Sequence, residues 1–422
     1  MTTYFYQTVP DIVNPELGLT EKLAVTVRNT GNYFFETAVK KQLSDTQIVT
    51  SFSEIPANAE KLVLSMSNFM SPHTDLGSIA DNIEKLNIRQ IVMIGAGAQS
   101  DSYSEPINLT KGTERFLKVI SDRSESIGIR GWFTNEVLEK YGINNGEVIG
   151  CPSIFMNLDR NFTVNKRKLP NAPKIVTHYT PTGYYKDNLG HINNFAVEQC
   201  CAYIAQSEKD LISVVEKQVD DSDIEFMFSY YNNGRYSKRV FRDWFHKNTK
   251  WFFDIDEWFN YMKNVDFSIG TRFHGNMGAI QVGTPALNLV FDTRTRELCE
   301  YLNLPSMFLD DFTGKHSIDE LYNKANYDLF NQTYSHKYDN YTRFLNKNGL
   351  QHKLGNVVDE SVSAPINMVA QKNIVDLLSS VAGQNVDSKL ILDYLTSRVR
   401  EDRSFDTRKL AERGDYNAAD KS

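Results

Sequence analysis

Apolar, strand-like runs alternate with amphipathic, helix-like ones along most of this 422-residue chain, and this alternation constrains the fold more than any other feature. In the first series "KLAVTVRN" (22–29) predicts a strand and "TGNYFFETAVKKQL" the helix after it. "KLVLSMSN" and "LGSIADNIEKLN" repeat the pair, as do "RQIVMIGAGAQ" and "GTERFLKVISDRS", then "SIGIRG" and "FTNEVLEKYGI", with "EVIGCPSIFMN" closing the series. Polar "NKRKLPNAPK", with two prolines, predicts a linker. A second series follows: strand "KIVTHYT", a long helix over about 194–219 carrying Cys200 and Cys201 as packing residues, then "IEFMFSYY", "WFNYMKNV", "DFSIG", "NMGAIQVG" and "ALNLVF". Strands separated by helical crossovers make parallel sheets.

The expectation is an α/β protein of two doubly wound, Rossmann-like domains facing a cleft, the GT-B-like arrangement. The first spans 1–165 and the second 172–350; 351–422 is expected to be a helical extension ending in a frayed, charged tail. The net charge of −7 argues against nucleic-acid binding, which needs a basic surface. Four cysteines in a chain this long make no disulfide framework, and no Cys/His spacing suggests a metal site. No apolar run approaches the roughly 20 residues that span a bilayer, and the first residues lack a signal-peptide pattern. A cytoplasmic protein without metal or cofactor is therefore expected.

In open α/β sheets ligands bind beyond the carboxyl ends of the strands, so the segments following strands are the candidates. "RNTGN" offers Asn29, Gly31 and Asn32 at a helix start, where free amides bind anions or hydroxyls, although Asn is also an ordinary helix cap. "SNFMSPH" offers Asn68, "GAGAQS" Gly97 and Gln99, "CPS" Ser153 and "THYTPTG" His178. "GAGAQS" lacks the third glycine of a dinucleotide fingerprint, so close approach of backbone to ligand is the better reading. Arg130, in "IRG", suits a carboxylate or phosphate through its planar fork; a surface ion pair is the alternative. "GTRFHGN" supplies Thr271, Arg272, His274 and Gly275, ahead of a helix expected to begin near Asn276. In an extended segment positions i and i+2 face one way, so Arg272 and His274 are expected to act on one ligand; a structural pair at a turn is the alternative.

"RNTGNYFFETAVKKQL", "IRGWFTNEVLEKYGINNGEVIGCPSIFMN" and "SIGTRFHGNMGAIQVGTPALNLVFDTRTREL", in this order, resemble the polysaccharide pyruvyltransferase family over roughly residues 22–310. The resemblance implies a GT-B-like enzyme. It implies transfer of the pyruvyl group of phosphoenolpyruvate to two hydroxyls of one sugar, giving a cyclic ketal and phosphate. It also implies that Arg272 and His274 belong to the phosphoenolpyruvate site, with Arg130 as a second cation. His274, kept protonated by the anionic substrate, is then expected as general acid toward the methylene carbon, and Arg272 as the group that stabilises departing phosphate. The acceptor would be a sugar, free, lipid-linked or polymeric, reached without a transmembrane segment. One departure stands out: Asn32 occupies a position where the family often carries an acid. A GT-B glycosyltransferase using a nucleotide-sugar, or a non-catalytic sugar-binding protein, is the competing reading.

Overall fold

A computed structural model describes residues 2–9, 13–67, 69–100, 107–181, 186–216 and 235–355. The first half comprises β1 (Thr3–Tyr6), α1 (Leu19–Val25), α2 (Asn32–Gln42), β2 (Thr46–Val49), β3 (Lys61–Ser65), α3 (Gly77–Lys85), β4 (Gln90–Ile94), α4 (Lys111–Asp122), β5 (Ile127–Ile129), α5 (Trp132–Lys140) and β6 (Gly146–Val148). The second comprises β7 (Ile175–His178), α6 (Lys186–Glu198), β8 (Ala202–Ile204), α7 (Asp210–Val215), α8 (Lys238–Asn248), β9 (Thr249–Lys250), α9 (Ile255–Met262), β10 (Phe267–Gly270), α10 (Phe273–Ile280), β11 (Ala286–Val290), α11 (Thr293–Leu302), β12 (Ser306–Phe308), α12 (Ile318–Lys324) and α13 (Asp328–Lys347).

Every strand pairing is parallel among the described residues. One sheet runs β2-β1-β3-β4, and a parallel bridge between Ala96 and Ile129 carries it on to the β5–β6 ribbon. The other runs β9-β8-β7-β10-β11-β12, the doubly wound order with its reversal between β7 and β10. β3, "KLVLS", and β11, "ALNLV", are buried at every position. Such unbroken runs are what a parallel sheet covered by helices on both faces requires. The protein is thus an α/β structure of two Rossmann-like domains in a GT-B-like arrangement.

Several local expectations are corrected. "KLAVTVRN" is not a strand. Its first part lies in α1, and Val27 and Arg28 follow in the left-handed region with φ of 53° and 57°. Leu23 is the one buried residue of α1, so the alternating Val25 and Val27 have no core to face and stand exposed. The strand comes instead from "TYFY" near the start, between β2 and β3. The described part of the long helix expected over 194–219 is the end of α6, β8 and α7; Cys200, at φ 52°, is exposed in the turn before β8, and of the two cysteines only Cys201 is buried. The "IEFMFSYY" stretch, Asn68 and residues 356–422 of the expected extension lie outside the described residues. Residues 351–355 pair back onto the first domain, through the Leu43–His352 bridge and Lys353 N–H to the Gln42 carbonyl.

Helix α13 packs against the first domain. Phe155 stacks on Tyr341 at 5.1 Å and meets Tyr338 edge-on at 5.8 Å. Lys61 Nζ donates to the Asn348 carbonyl at 2.8 Å, and Asn348 Nδ2 to Ser126 Oγ at 3.0 Å.

Candidate functional site

The second sheet reverses where β7 ends at His178 and β10 ends at Gly270, residues directly paired in register. Arg272 caps α10 with extended backbone, φ −86° and ψ 114°, and the helix begins at Phe273 rather than near Asn276. This earlier start corrects the expectation that Arg272 and His274 face one way. One is an extended cap and the other lies in the first helical turn, so the two side chains diverge.

Arg272 turns into the second domain. Its Nε and Nη2 donate to Glu208 Oε1 at 2.9 and 2.6 Å, with further bonds to the Tyr179 carbonyl and Ser207 Oγ. Glu208 also accepts from the backbone N–H of Gln206 and of Ser207 and from Tyr203 Oη. The pair is buried, so the guanidinium braces the 206–208 loop against the start of α10. His178 lies beneath. Its Nε2 is 3.1 Å from Asn276 Oδ1, and its Nδ1 accepts from Arg272 N–H. Burial, reinforced by Arg272, pushes its pKa down to about 3. With both nitrogens occupied, His178 is a neutral strut under the site and not a ligand-facing group. Gly275 serves the same packing, since a Cβ there would stand 2.5 Å from the His178 ring. Thr271 Oγ1 accepts from Thr180 N–H and ties the two strand ends together.

His274 turns toward the first domain and stays partly open to solvent. Its ring stacks on Phe34 of α2 at 5.6 Å and lies 5.9 Å from Phe35. Nε2 stands 3.6 Å from Cys151 Sγ. Burial first, then the charges of Arg130 and Arg294, hold its pKa well below the usual histidine value, so the imidazole is neutral at physiological pH.

Arg130 is 2% exposed, with Nε on the Gly95 carbonyl at 2.8 Å and Nη2 4.0 Å from Cys151 Sγ. Among the described residues no carboxylate is paired with it, which excludes the surface ion pair. Gly97 makes room for it, since a Cβ there would meet Arg130 Cδ at 2.8 Å. Arg294, from the first turn of α11, pairs with Asp292 at 3.1 Å and adds its charge beside Arg130 and His274. α2, α5, α10 and α11 all begin around this cluster, and their N-termini add positive potential. The arrangement is a largely buried cluster of two arginines around His274 where the domains meet.

The first-domain loop closes one side. Asn29 Oδ1 accepts from Gly31 N–H, and Asn32 Nδ2 donates to the Thr26 carbonyl, so both amides shape this turn. Thr30 N–H donates across to the Gln206 carbonyl at 2.9 Å. A Cβ on Gly31 would fall 2.7 Å from Gln206 Oε1, 3.0 Å from Asn29 Oδ1 and 3.4 Å from His274 Nδ1. Ser153 Oγ is 3.0 Å from Cys151 Sγ, and the Gln99 N–H donates to the Met70 carbonyl. A cleft of about 580 Å³ lined by Lys41, Asp256, Phe259 and Gln281 lies at the opposite ends of α2 and α10. It contains neither His274 nor either arginine, so the chemistry places the site elsewhere.

Two contacts latch the domains beside the cluster. Ser100 and Thr293 exchange hydrogen bonds at 2.9 and 3.1 Å. Glu297 accepts from Thr134 N–H at 3.0 Å and Thr134 Oγ1 at 2.7 Å. Burial outweighs those bonds and pushes the Glu297 pKa up to about 8. A carboxyl raised on folding contributes stability below its unfolded pKa and loses it as pH rises through the folded value. Stability is therefore expected to fall between about pH 5 and 8, and Glu297→Gln to flatten that slope in chemical denaturation. An unchanged slope would exclude Glu297 as its source.

Arg294, Glu297, Gln206 and Cys151 were not singled out from sequence. The rule about strand ends covers Arg294, because "FDTRTREL" directly follows β11. Gln206 and Glu208 follow β8, which the continuous helical pattern concealed.

Fold and site together define a two-domain α/β protein with an anion-attracting cluster where the domains meet. Residues 29–293 match the family described as polysaccharide pyruvyl transferase, and the chain belongs to that family. No curated protein matches it. Among solved structures, S. aureus MnaA with UDP aligns at 11% identity and a TM-score of 0.39, covering 80% of this chain and 90% of that one. The apo structure of OtsA aligns at 10% and 0.40, covering 85% and 100%. UDP-GlcNAc 2-epimerase from Methanocaldococcus jannaschii aligns at 13% and 0.37, covering 70% and 75%. No described helix is long and apolar enough to cross a membrane.

Proposed function

We propose that the protein moves the pyruvyl group of phosphoenolpyruvate onto two hydroxyls of a sugar in a polysaccharide or its precursor, releasing phosphate and forming a cyclic ketal. The supporting observation is Arg130, a buried guanidinium without a carboxylate partner among the described residues, set beside Arg294 and His274. Burying such a charge is costly unless an anion joins it. Phosphoenolpyruvate carries a carboxylate and a phosphate, and two guanidinium forks suit them. Arg130 and Arg294 take the role expected of Arg272, which serves instead to hold the start of α10. Burial and the two arginines hold the His274 pKa down, which favours it as acceptor of a proton from an acceptor hydroxyl over the general-acid role expected from the sequence. Phe34 and Phe35 wall one side of its ring.

The test is calorimetric titration with phosphoenolpyruvate, with UDP and GDP as controls. Binding of phosphoenolpyruvate alone is the expected result. A nucleotide that binds while phosphoenolpyruvate does not would transfer the site to nucleotide-sugar chemistry. His274→Ala is expected to keep this binding and lose transfer by about 10²–10⁴-fold; near-normal transfer would remove His274 from the mechanism.

A further inference from the structure

The pyruvyl-transfer reading leaves one requirement open, namely a proton for the methylene carbon of the donor. Cys151 follows Gly150, a turn residue with φ 76°, and caps the short helical turn Pro152–Phe155. Its Sγ is 3.0 Å from Ser153 Oγ, 3.6 Å from His274 Nε2 and 4.0 Å from Arg130 Nη2. The sulfur thus stands between the His274 imidazole and the Arg130 guanidinium, which has no carboxylate within ion-pair distance among the described residues. Cys151 is buried, as Arg130 is, so the thiol is reached only from the side where His274 stays partly open to solvent.

We propose that Cys151 is a catalytic residue of this site, its thiol touching the methylene carbon of the enolpyruvyl donor and giving it a proton. The inference rests on the pyruvyl-transfer reading. The two faces of His274 divide the work. Nε2 faces Cys151, whereas Nδ1 faces the Gly31 loop of the first domain. The S–H bond breaks and its proton forms the new C–H bond. The acceptor oxygen bonds to the neighbouring carbon, and its proton passes to Nδ1. The Nε2 proton then returns to the thiolate. The sum is addition of O–H across the double bond, with cysteine and imidazole both neutral again. Phosphate leaves with its bonding pair, the second hydroxyl closes the ring, and its proton goes to the departing phosphate.

Site-resolved alkylation of the full chain tests the placement, with exposed Cys200 as internal reference. Iodoacetate is expected to favour Cys151 over Cys200 by about tenfold relative to iodoacetamide, because the arginines attract its carboxylate. Phosphoenolpyruvate should protect Cys151 and leave Cys200 unaffected. In D2O the wild type should exchange the methylene hydrogens of phosphoenolpyruvate, and Cys151→Ala should bind the compound without exchanging them. A Cys151 that resists both reagents, or whose alkylation phosphoenolpyruvate leaves unchanged, overturns the proposal. So does exchange undiminished in Cys151→Ala, or absent from a wild type that binds the donor. A wild type that binds no phosphoenolpyruvate overturns the pyruvyl-transfer reading itself.

Discussion

Arg130→Gln is expected to weaken phosphoenolpyruvate binding by about 2–5 kcal/mol, roughly 30-fold to several-thousand-fold in Kd, the usual cost of losing one partner of a desolvated charge pair. The same variant should fold as well as the wild type or better. Arg130 is buried without a carboxylate partner among the described residues, so its removal relieves a desolvation cost. Glutamine can still donate to the Gly95 carbonyl. Opposite signs for binding and stability would mark a cation held for its ligand. Loss of both together would make Arg130 a structural residue and move the anion site away from the "IRG" segment.

Arg272→Ala should behave in the opposite way. It leaves Glu208 as an uncompensated carboxylate inside the second domain, a change that typically costs about 3–5 kcal/mol. Replacing both partners with apolar residues of similar size, as in Arg272→Met with Glu208→Leu, should recover most of that loss, because no charge is then stranded. Glu208 also accepts from Tyr203 Oη and two backbone N–H groups, so recovery will be partial. Denaturant unfolding of the two single variants and the double variant gives the comparison. If Arg272→Ala kept wild-type stability and lost only phosphoenolpyruvate binding, Arg272 would be a substrate contact, as the sequence reading held.

Much of the architecture was legible because buried parallel strands are short, continuous apolar runs. "KLVLS", "QIVMI", "FSIG" and "ALNLV" announce themselves, and the strand-end rule led to Arg130 and the Arg-x-His segment. What was not legible depended on contacts remote in sequence. "KLAVTVRN" has a strand's alternation, yet nothing in its own letters tells that "TYFY" takes the place in the sheet. The divergence of Arg272 and His274 turns on where one helix begins, which pattern reading locates only within a few residues. The Cys151–His274 contact joins positions 123 residues apart and has no local signature.

The return of α13 to the first domain bears on the timing of synthesis. Lys61 finds its acceptor at Asn348, 287 positions later, and the Ser126 N–H pairs with Asn348 Oδ1 across 222. A domain emerging from the ribosome usually folds as soon as its own segment is clear. Here the first sheet has all its strands by Val148, but the first residue of its inner strand β3 is a buried lysine without its acceptor until residue 348 has been made. A nascent chain halted between these points should hold an opened, protease-sensitive first domain, and the last turn of α13 should be the step that closes it.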